Sequence, residues 1–116
     1  MKLKLDKSFW WNDYYYLSIV DLFMAKVRLN LLNIFQLKLN KKFIEYEGTT
    51  IRDIISKFLT ENKDKLEDNI LSKNKKKLHP QILILLNGRN IKYLDNYKTV
   101  LKDGDELYIS FPLAGG

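Results

Sequence analysis

The 116-residue sequence contains no cysteine. That excludes a thiol nucleophile, any disulfide and any cysteine-based zinc or iron site, and it leaves the redox compartment open. Histidine is nearly absent too. The single imidazole, His79, stands before Pro80 at the end of a lysine-rich stretch. One imidazole without convergent partners reads as a loop or strand-entry residue rather than a catalytic or metal-binding group. No run approaches the roughly 18 uninterrupted apolar residues that a membrane span needs, because Asp13 and Asp21 break up the most apolar region. Nor does that region read as a signal peptide. Lys2, Lys4 and Lys7 imitate a basic start, but Asn12 and Asp13 interrupt the apolar block and no small-residue cleavage site follows. The expectation is a cytoplasmic protein with no membrane association.

What is present suffices for one compact domain, since 46% of the residues are hydrophobic and the length lies in the usual single-domain range. The net charge of +6 is unevenly placed. Residues 1–23 balance three lysines against three aspartates, so the basic excess belongs to the rest of the chain. Its densest run, Lys73-Asn74-Lys75-Lys76-Lys77, has no aromatic neighbour. It reads as a solvated loop rather than a phosphate-binding patch, so direct nucleic-acid binding is not expected, although an acidic protein partner would be attracted.

The chain changes character near Met24. Residues 1–23 hold seven of the fifteen aromatics, in Phe9-Trp10-Trp11, Tyr14-Tyr15-Tyr16 and Phe23, with no clean period. This predicts an N-terminal extension (1–23) ahead of a domain spanning 24–116. From Val27 the pattern becomes regular. Val27, Leu29 and Leu31 alternate with polar residues, and after a phase slip Phe35, Leu37 and Leu39 do the same, which predicts an interrupted or bulged first strand. Asn40-Lys41 turns the chain into a return strand, Phe43 to Glu47, ending at Gly48.

Thr50, followed three residues later by Asp53, resembles a capping box. Ile51, Ile54, Ile55, Phe58 and Leu59 then fall on one helical stripe. Residues 60–79 are polar, with only Leu66, Ile70, Leu71 and Leu78 available for burial, and predict a weak helix near Lys63 to Ser72 followed by loop. Gln81 to Leu86 is an apolar run of strand length expected to lie centrally in a sheet. Asn87-Gly88 supplies a hairpin turn, with Asn90 to Leu94 as a short return strand and 95–100 as a loop or helical turn. The aspartates of Lys102-Asp103-Gly104-Asp105 lack the continuation of a calcium loop and are assigned to turn chemistry. Glu106 to Phe111 is the last strand. One amphipathic helix after a first hairpin predicts an α+β roll, a mixed sheet with the helix across a single face. The last strand would pair in parallel with the first and place the chain's end at the sheet edge.

The sequence closes on Pro112-Leu113-Ala114-Gly115-Gly116. Two glycines add no packing and lose the most backbone entropy on ordering. With glycine near 7% of residues, such a pair arises by chance at the last two positions in roughly one chain in 200. With no thiol and one isolated imidazole, the Gly116 carboxylate is the strongest candidate reactive group.

Leu86-Asn87-Gly88-Arg89, Leu101-Lys102-Asp103-Gly104-Asp105-Glu106-Leu107 and Phe111-Pro112-Leu113-Ala114-Gly115-Gly116, in that order, resemble the β-grasp, ubiquitin-like sulfur carriers of the MoaD and ThiS type. The likeness is closest to the small subunit of molybdopterin synthase and spans about residues 24–116. It implies that an E1-like adenylyltransferase, using ATP, adenylates the Gly116 carboxylate, which then becomes a thiocarboxylate that donates sulfur in molybdenum cofactor biosynthesis. An ionised carboxylate is a poor electrophile until one oxygen becomes a leaving group. Gly115 and Ala114 would thread the enzyme's channel, while Phe111, Pro112 and Leu113 would dock the carrier, with completion of the last strand an equal reading for Phe111. The resemblance implies a non-catalytic partner of the large subunit, with no bound cofactor and no metal. Two other uses stay open: a ubiquitin-like modifier joined to protein lysines or a tRNA-thiolation carrier, and, in a different class, an interaction module with an inert terminus. Residues 1–23 have no counterpart in the family. Either Met24 is the true start, or the segment covers the sheet's open face or binds another protein.

Overall fold

The computed structural model describes residues 24–112 with the exception of Lys75. The aromatic-rich segment 1–23 and residues 113–116 lie outside the described residues, and with them the expectations placed on Leu113, Ala114, Gly115 and Gly116.

Five strands form one mixed sheet: β1 (Ala25–Leu31), β2 (Phe43–Gly48), β3 (Leu83–Leu86), β4 (Arg89–Asn90) and β5 (Glu106–Ser110), in the order β2-β1-β5-β3-β4. β1 and β2 are antiparallel, with Ala25 opposite Gly48 and Asn30 opposite Phe43. β5 runs parallel to β1, with Arg28 opposite Glu106 and Leu31 opposite Ile109. It runs antiparallel to β3, with Leu83 opposite Ser110 and Leu86 opposite Leu107. The parallel pairing of first and last strands is as expected. β5, the strand that leads toward the chain's end, is the central strand of the sheet rather than an edge. A strand hydrogen-bonded on both sides is held more rigidly than an edge strand.

Alternation along the strands sends Val27, Leu29, Leu31, Ile84, Leu86, Leu107 and Ile109 into the core. Against them pack two helices, α1 (Ile34–Leu39) and α2 (Ile51–Asn62). The stripe predicted for α2 is the buried one, comprising Ile51, Ile54, Ile55, Phe58 and Leu59. The Asp53 carboxylate accepts the N–H groups of Thr49 at 2.8 Å and Thr50 at 3.1 Å, the acidic half of the predicted capping arrangement. At the far end the buried Asn62 side chain donates to the Phe58 carbonyl at 2.9 Å. Gly48 lets β2 pass directly into α2, since a Cβ there would stand 2.8 Å from Asp53 Cβ and 3.0 Å from Ile54 Cδ1.

Three sequence expectations are corrected. The stretch read as a second half of β1 is α1. Phe35 and Leu39, four apart, are buried while Leu37 is 81% exposed, which is helical rather than strand spacing. The two patterns coincide at Phe35 and Leu39 and differ only at Leu37. Asn33 and Asn40, at φ 40° and 53°, open and close this turn, and the Phe35 ring meets Phe58 edge-on at 6.3 Å. The weak helix near 63–72 is instead two 3₁₀ turns, Lys63–Lys65 and Asp68–Ile70. Leu66, Ile70, Leu71 and Leu78 are all buried, but a Leu71–Leu78 bridge draws the chain into a small hairpin. The return strand after Asn87-Gly88 stops at Asn90, whose side chain accepts the Lys92 N–H at 2.9 Å and starts a 3₁₀ turn, Ile91–Tyr93. Another 3₁₀ turn, Asn96–Lys98, lies where a loop or helical turn was expected. The architecture is the expected β-grasp roll.

Candidate functional site

The described parts of the three sequence segments that carried the family likeness meet in space around β5. Before it, the turn residues Asn87 and Asp105 form one unit. Asn87 Nδ2 donates to Asp105 Oδ1 at 3.0 Å, and the Glu106 N–H donates to Asn87 Oδ1 at 2.9 Å. The Asn87 N–H also reaches the Glu106 carbonyl at 2.8 Å. Asp105 Oδ2 accepts the Lys102 N–H and Asp103 Oδ1 accepts the Lys26 N–H, each at 2.8 Å. The aspartates are therefore occupied by backbone donors, as turn chemistry predicts. Gly88 and Gly104 sit at φ 89° and 86°, where side chains are strained.

β5 leaves this unit with Leu107 and Ile109 fully buried and ends at Ser110. There Asn33 takes over the pairing. Its Nδ2 donates to the Phe111 carbonyl at 2.7 Å and to Ser110 Oγ at 2.8 Å, while its Oδ1 accepts the Phe111 N–H at 3.1 Å. A side-chain amide thus replaces a strand residue and extends the ladder by one position. Its preceding neighbour contributes as well, the Leu32 N–H reaching the Ile109 carbonyl at 3.1 Å. Phe111 is half-buried against the core. Pro112, which follows, is exposed and has no N–H with which to continue the ladder. Of the predicted site residues, Phe111 and Pro112 are described, and they stand at the end of the central strand. Phe111 completes β5 by packing and by hydrogen bonding while keeping part of its surface accessible.

The face of the sheet opposite the helices carries apolar surface. Phe43, Leu83 and Leu32 are 42%, 37% and 39% exposed, and Leu85 and Tyr108 lie half-buried beside them. The Arg28 guanidinium stacks 4.2 Å over the Phe43 ring, and Asn30 Nδ2 donates to Glu106 Oε1 at 2.8 Å. The result is an apolar strip interrupted by Asn30, which stands between Phe43 and Tyr108, with Arg28 and Glu106 along one margin. Asn33 and this strip went unnoticed in the sequence. The only signal for Asn33 was the phase slip between Leu31 and Phe35, which a bulge explains equally well.

His79 serves the backbone. Its Nδ1 accepts the Gln81 N–H at 3.1 Å and its own N–H reaches the Ile70 carbonyl at 2.7 Å. Among the described residues no three His, Cys, Asp or Glu side chains gather as metal ligands, and no helix is long and apolar enough to cross a membrane.

Residues 31–116 match the ThiS family. The chain belongs to the ThiS family. A relative from Archaeoglobus fulgidus, which carries the provisional name of sulfur carrier protein, is 36% identical over 73 residues, covering 63% of this chain and 81% of its own. Small archaeal modifier protein 1 of Methanosarcina acetivorans superposes with a TM-score of 0.69 at 28% identity, covering 80% of this chain and 98% of its own. The BexX/CysO complex of Amycolatopsis orientalis matches with a TM-score of 0.60 at 26% identity, covering 78% of this chain and 99% of the matched one. This ThiS-family chain is thus related to sulfur carriers and ubiquitin-like small modifiers, and it shares their β-grasp fold.

Proposed function

We propose that the chain is a sulfur carrier that acts through its last residue, Gly116. An E1-like, ATP-dependent adenylyltransferase attacks ATP with the Gly116 carboxylate, releasing pyrophosphate and leaving an acyl adenylate. A sulfur donor then displaces AMP to give the thiocarboxylate. On this reading the partner enzyme supplies the catalytic groups and the chain is a cosubstrate. The observation that carries this reading is the family match, which runs through Gly116, on a fold whose central strand leads to Phe111 and Pro112. Ala114 and Gly115 thread the partner's channel. Phe111, Pro112 and Leu113, together with the apolar residues Phe43, Leu83 and Tyr108, form the docking surface. The acceptor is the molybdopterin precursor, with the large catalytic subunit of molybdopterin synthase as second partner. That assignment rests on the resemblance of Leu86–Arg89, Leu101–Leu107 and Phe111–Gly116 to the small subunit.

A second reading is favoured by the likeness to small archaeal modifier protein 1: the activated glycine is transferred to a protein lysine. Intact-mass measurement after incubation with an E1-like enzyme, ATP and a sulfur donor tests both. The carrier gains the mass difference between sulfur and oxygen, whereas the modifier appears as a covalent adduct with a target protein. An unchanged mass with an enzyme that is active on its own carrier overturns both.

A further inference from the structure

On the helix side of the sheet, away from the apolar strip, lies an open cleft of about 520 Å³. Its floor is apolar and drawn from three separate segments. Leu78, Ile82, Ile84 and Ile91 line it, each a buried core residue. One wall is Tyr97, whose hydroxyl accepts the Leu78 N–H at 3.3 Å. The rim is cationic. Arg52, Lys77, Lys92 and Lys98 line it against a single carboxylate, Asp95. None of the four is in an ion pair among the described residues, and Lys77 Nζ sits 5.2 Å from the Tyr97 ring centroid. Residues from α2, the hairpin over 71–78, β3 and both late 3₁₀ turns therefore converge on one site.

We propose that this cleft binds an acidic peptide segment of a partner protein, with an apolar side chain seated on the isoleucine floor and flanking carboxylates on the lysine rim. The volume falls in the range of ligand-binding clefts, and the open side lets a chain pass through rather than enclosing a small molecule. Charge complementarity selects acidic flanks, because an unpaired cationic rim accelerates encounter with anionic partners and repels basic ones. Nucleic acid is the poorer match. It binds such grooves through bare aromatic faces, and here the one aromatic is half-buried with Lys77 over its ring. One end of the cleft adjoins the strand that carries the tail, since Ile82 precedes Leu83, the register partner of Ser110. A partner engaged at the tail can reach the cleft, but binding there does not require the tail's chemistry.

The test uses the full-length ¹⁵N-labelled chain and a synthetic peptide, acetyl-Glu-Glu-Leu-Leu-Glu-Glu-amide. Titration is expected to move the amides of Ile82, Ile84, Ile91 and Tyr97. The double substitution Lys77→Glu with Lys98→Glu weakens binding about tenfold, while Lys41→Glu with Lys42→Glu, an equal change of net charge elsewhere, leaves it intact. Deleting Gly115 and Gly116 also leaves it intact, so that failure here and failure of the carrier reading are separable. The proposal is overturned if these amides do not move, or if both charge reversals weaken binding equally. It is also overturned if the peptide with serine in place of leucine binds as well, or if a single-stranded oligonucleotide moves the same amides at lower concentration.

Discussion

Asn33 and Phe111, 78 positions apart, are joined by a pair of hydrogen bonds in which the side-chain amide of one behaves as a strand residue toward the backbone of the other. The same Asn33 Oδ1 accepts the Ile34 N–H at 2.7 Å. One side chain therefore ends β1, starts α1 and fixes the last rung before Pro112. It does so at φ 40° and ψ −117°, a positive-φ conformation outside the left-handed helical region.

Asn33→Ala removes these bonds and keeps a Cβ at positive φ without a side chain that bonds locally, and is expected to cost about 2–4 kcal/mol. Asn33→Gly loses the same bonds but relieves the strain that the Cβ bears at this φ, so a smaller loss of about 1–2 kcal/mol is expected. Urea denaturation gives both values, and hydrogen exchange at the Phe111 amide should accelerate in each variant. Unchanged protection of that amide in Asn33→Gly would refute the clamp.

Asn87 and Asp105 act as a unit, so their losses should not add. Asn87→Ala and Asp105→Ala are each expected to cost about 1–2 kcal/mol, with a coupling of about 0.5–1 kcal/mol in the double-mutant cycle. Strictly additive values would show that the two motifs merely lie near each other.

At Gly48 the space between β2 and α2 is already filled. Gly48→Ala is expected to lose about 1–3 kcal/mol, because the new methyl meets Asp53 Cβ and Ile54 Cδ1 and the strand and helix must part. The midpoint of denaturation should fall with an unchanged slope.

Alkali should destabilise the domain through Tyr46, which is buried, and Tyr97, which is half-buried. Burial, reinforced by the 2.8 Å hydrogen bond that its hydroxyl donates to Glu61, pushes the Tyr46 phenol well above its ordinary value of 10.0. Burial also raises Tyr97, partly offset by the bond from the Leu78 N–H. A group raised in the folded state contributes stability that is fully present below its unfolded pKa and is lost as pH rises toward its folded one. Stability should thus be flat up to about pH 9 and fall above about pH 10. Tyr46→Phe should flatten that fall, and an identical alkaline profile in the variant would contradict the assignment.

Removing Gly115 and Gly116 should leave stability within about 0.5 kcal/mol of the full chain, since the described ladder ends at Phe111. The same deletion should abolish the mass gain with an E1-like enzyme, ATP and a sulfur donor. A large loss of stability, or retained activation, would remove Gly116 from the role proposed for it.

Much of this was legible in local pattern. The α2 stripe, the Asp53 cap, the Asn87-Gly88 turn and the Gly104 turn each depend on neighbours within a few positions, and each stands as read. The α1 error had a local cause too: two periods agree at Phe35 and Leu39, and a single exposed leucine between them is too little to separate helix from strand. Residues 60–79 misled for a different reason. Their four leucine and isoleucine side chains are buried as expected, but Leu71 and Leu78 face each other across a hairpin and Leu66 and Ile70 lie at 3₁₀ turns, so their spacing does not follow a helical period.

The sequence alone determined most of the core, where the main helix and tight turns fall, and the diglycine ending on which the proposed chemistry depends, because these follow from side-chain type and short-range spacing. Only the tertiary structure decided that β5 lies at the centre of the sheet and that Asn33 holds its exit. It alone gathered Leu78, Ile82, Ile91 and Tyr97 into one cleft beneath a basic rim. Strand order and clefts arise from contacts between residues tens of positions apart, and no local period records them.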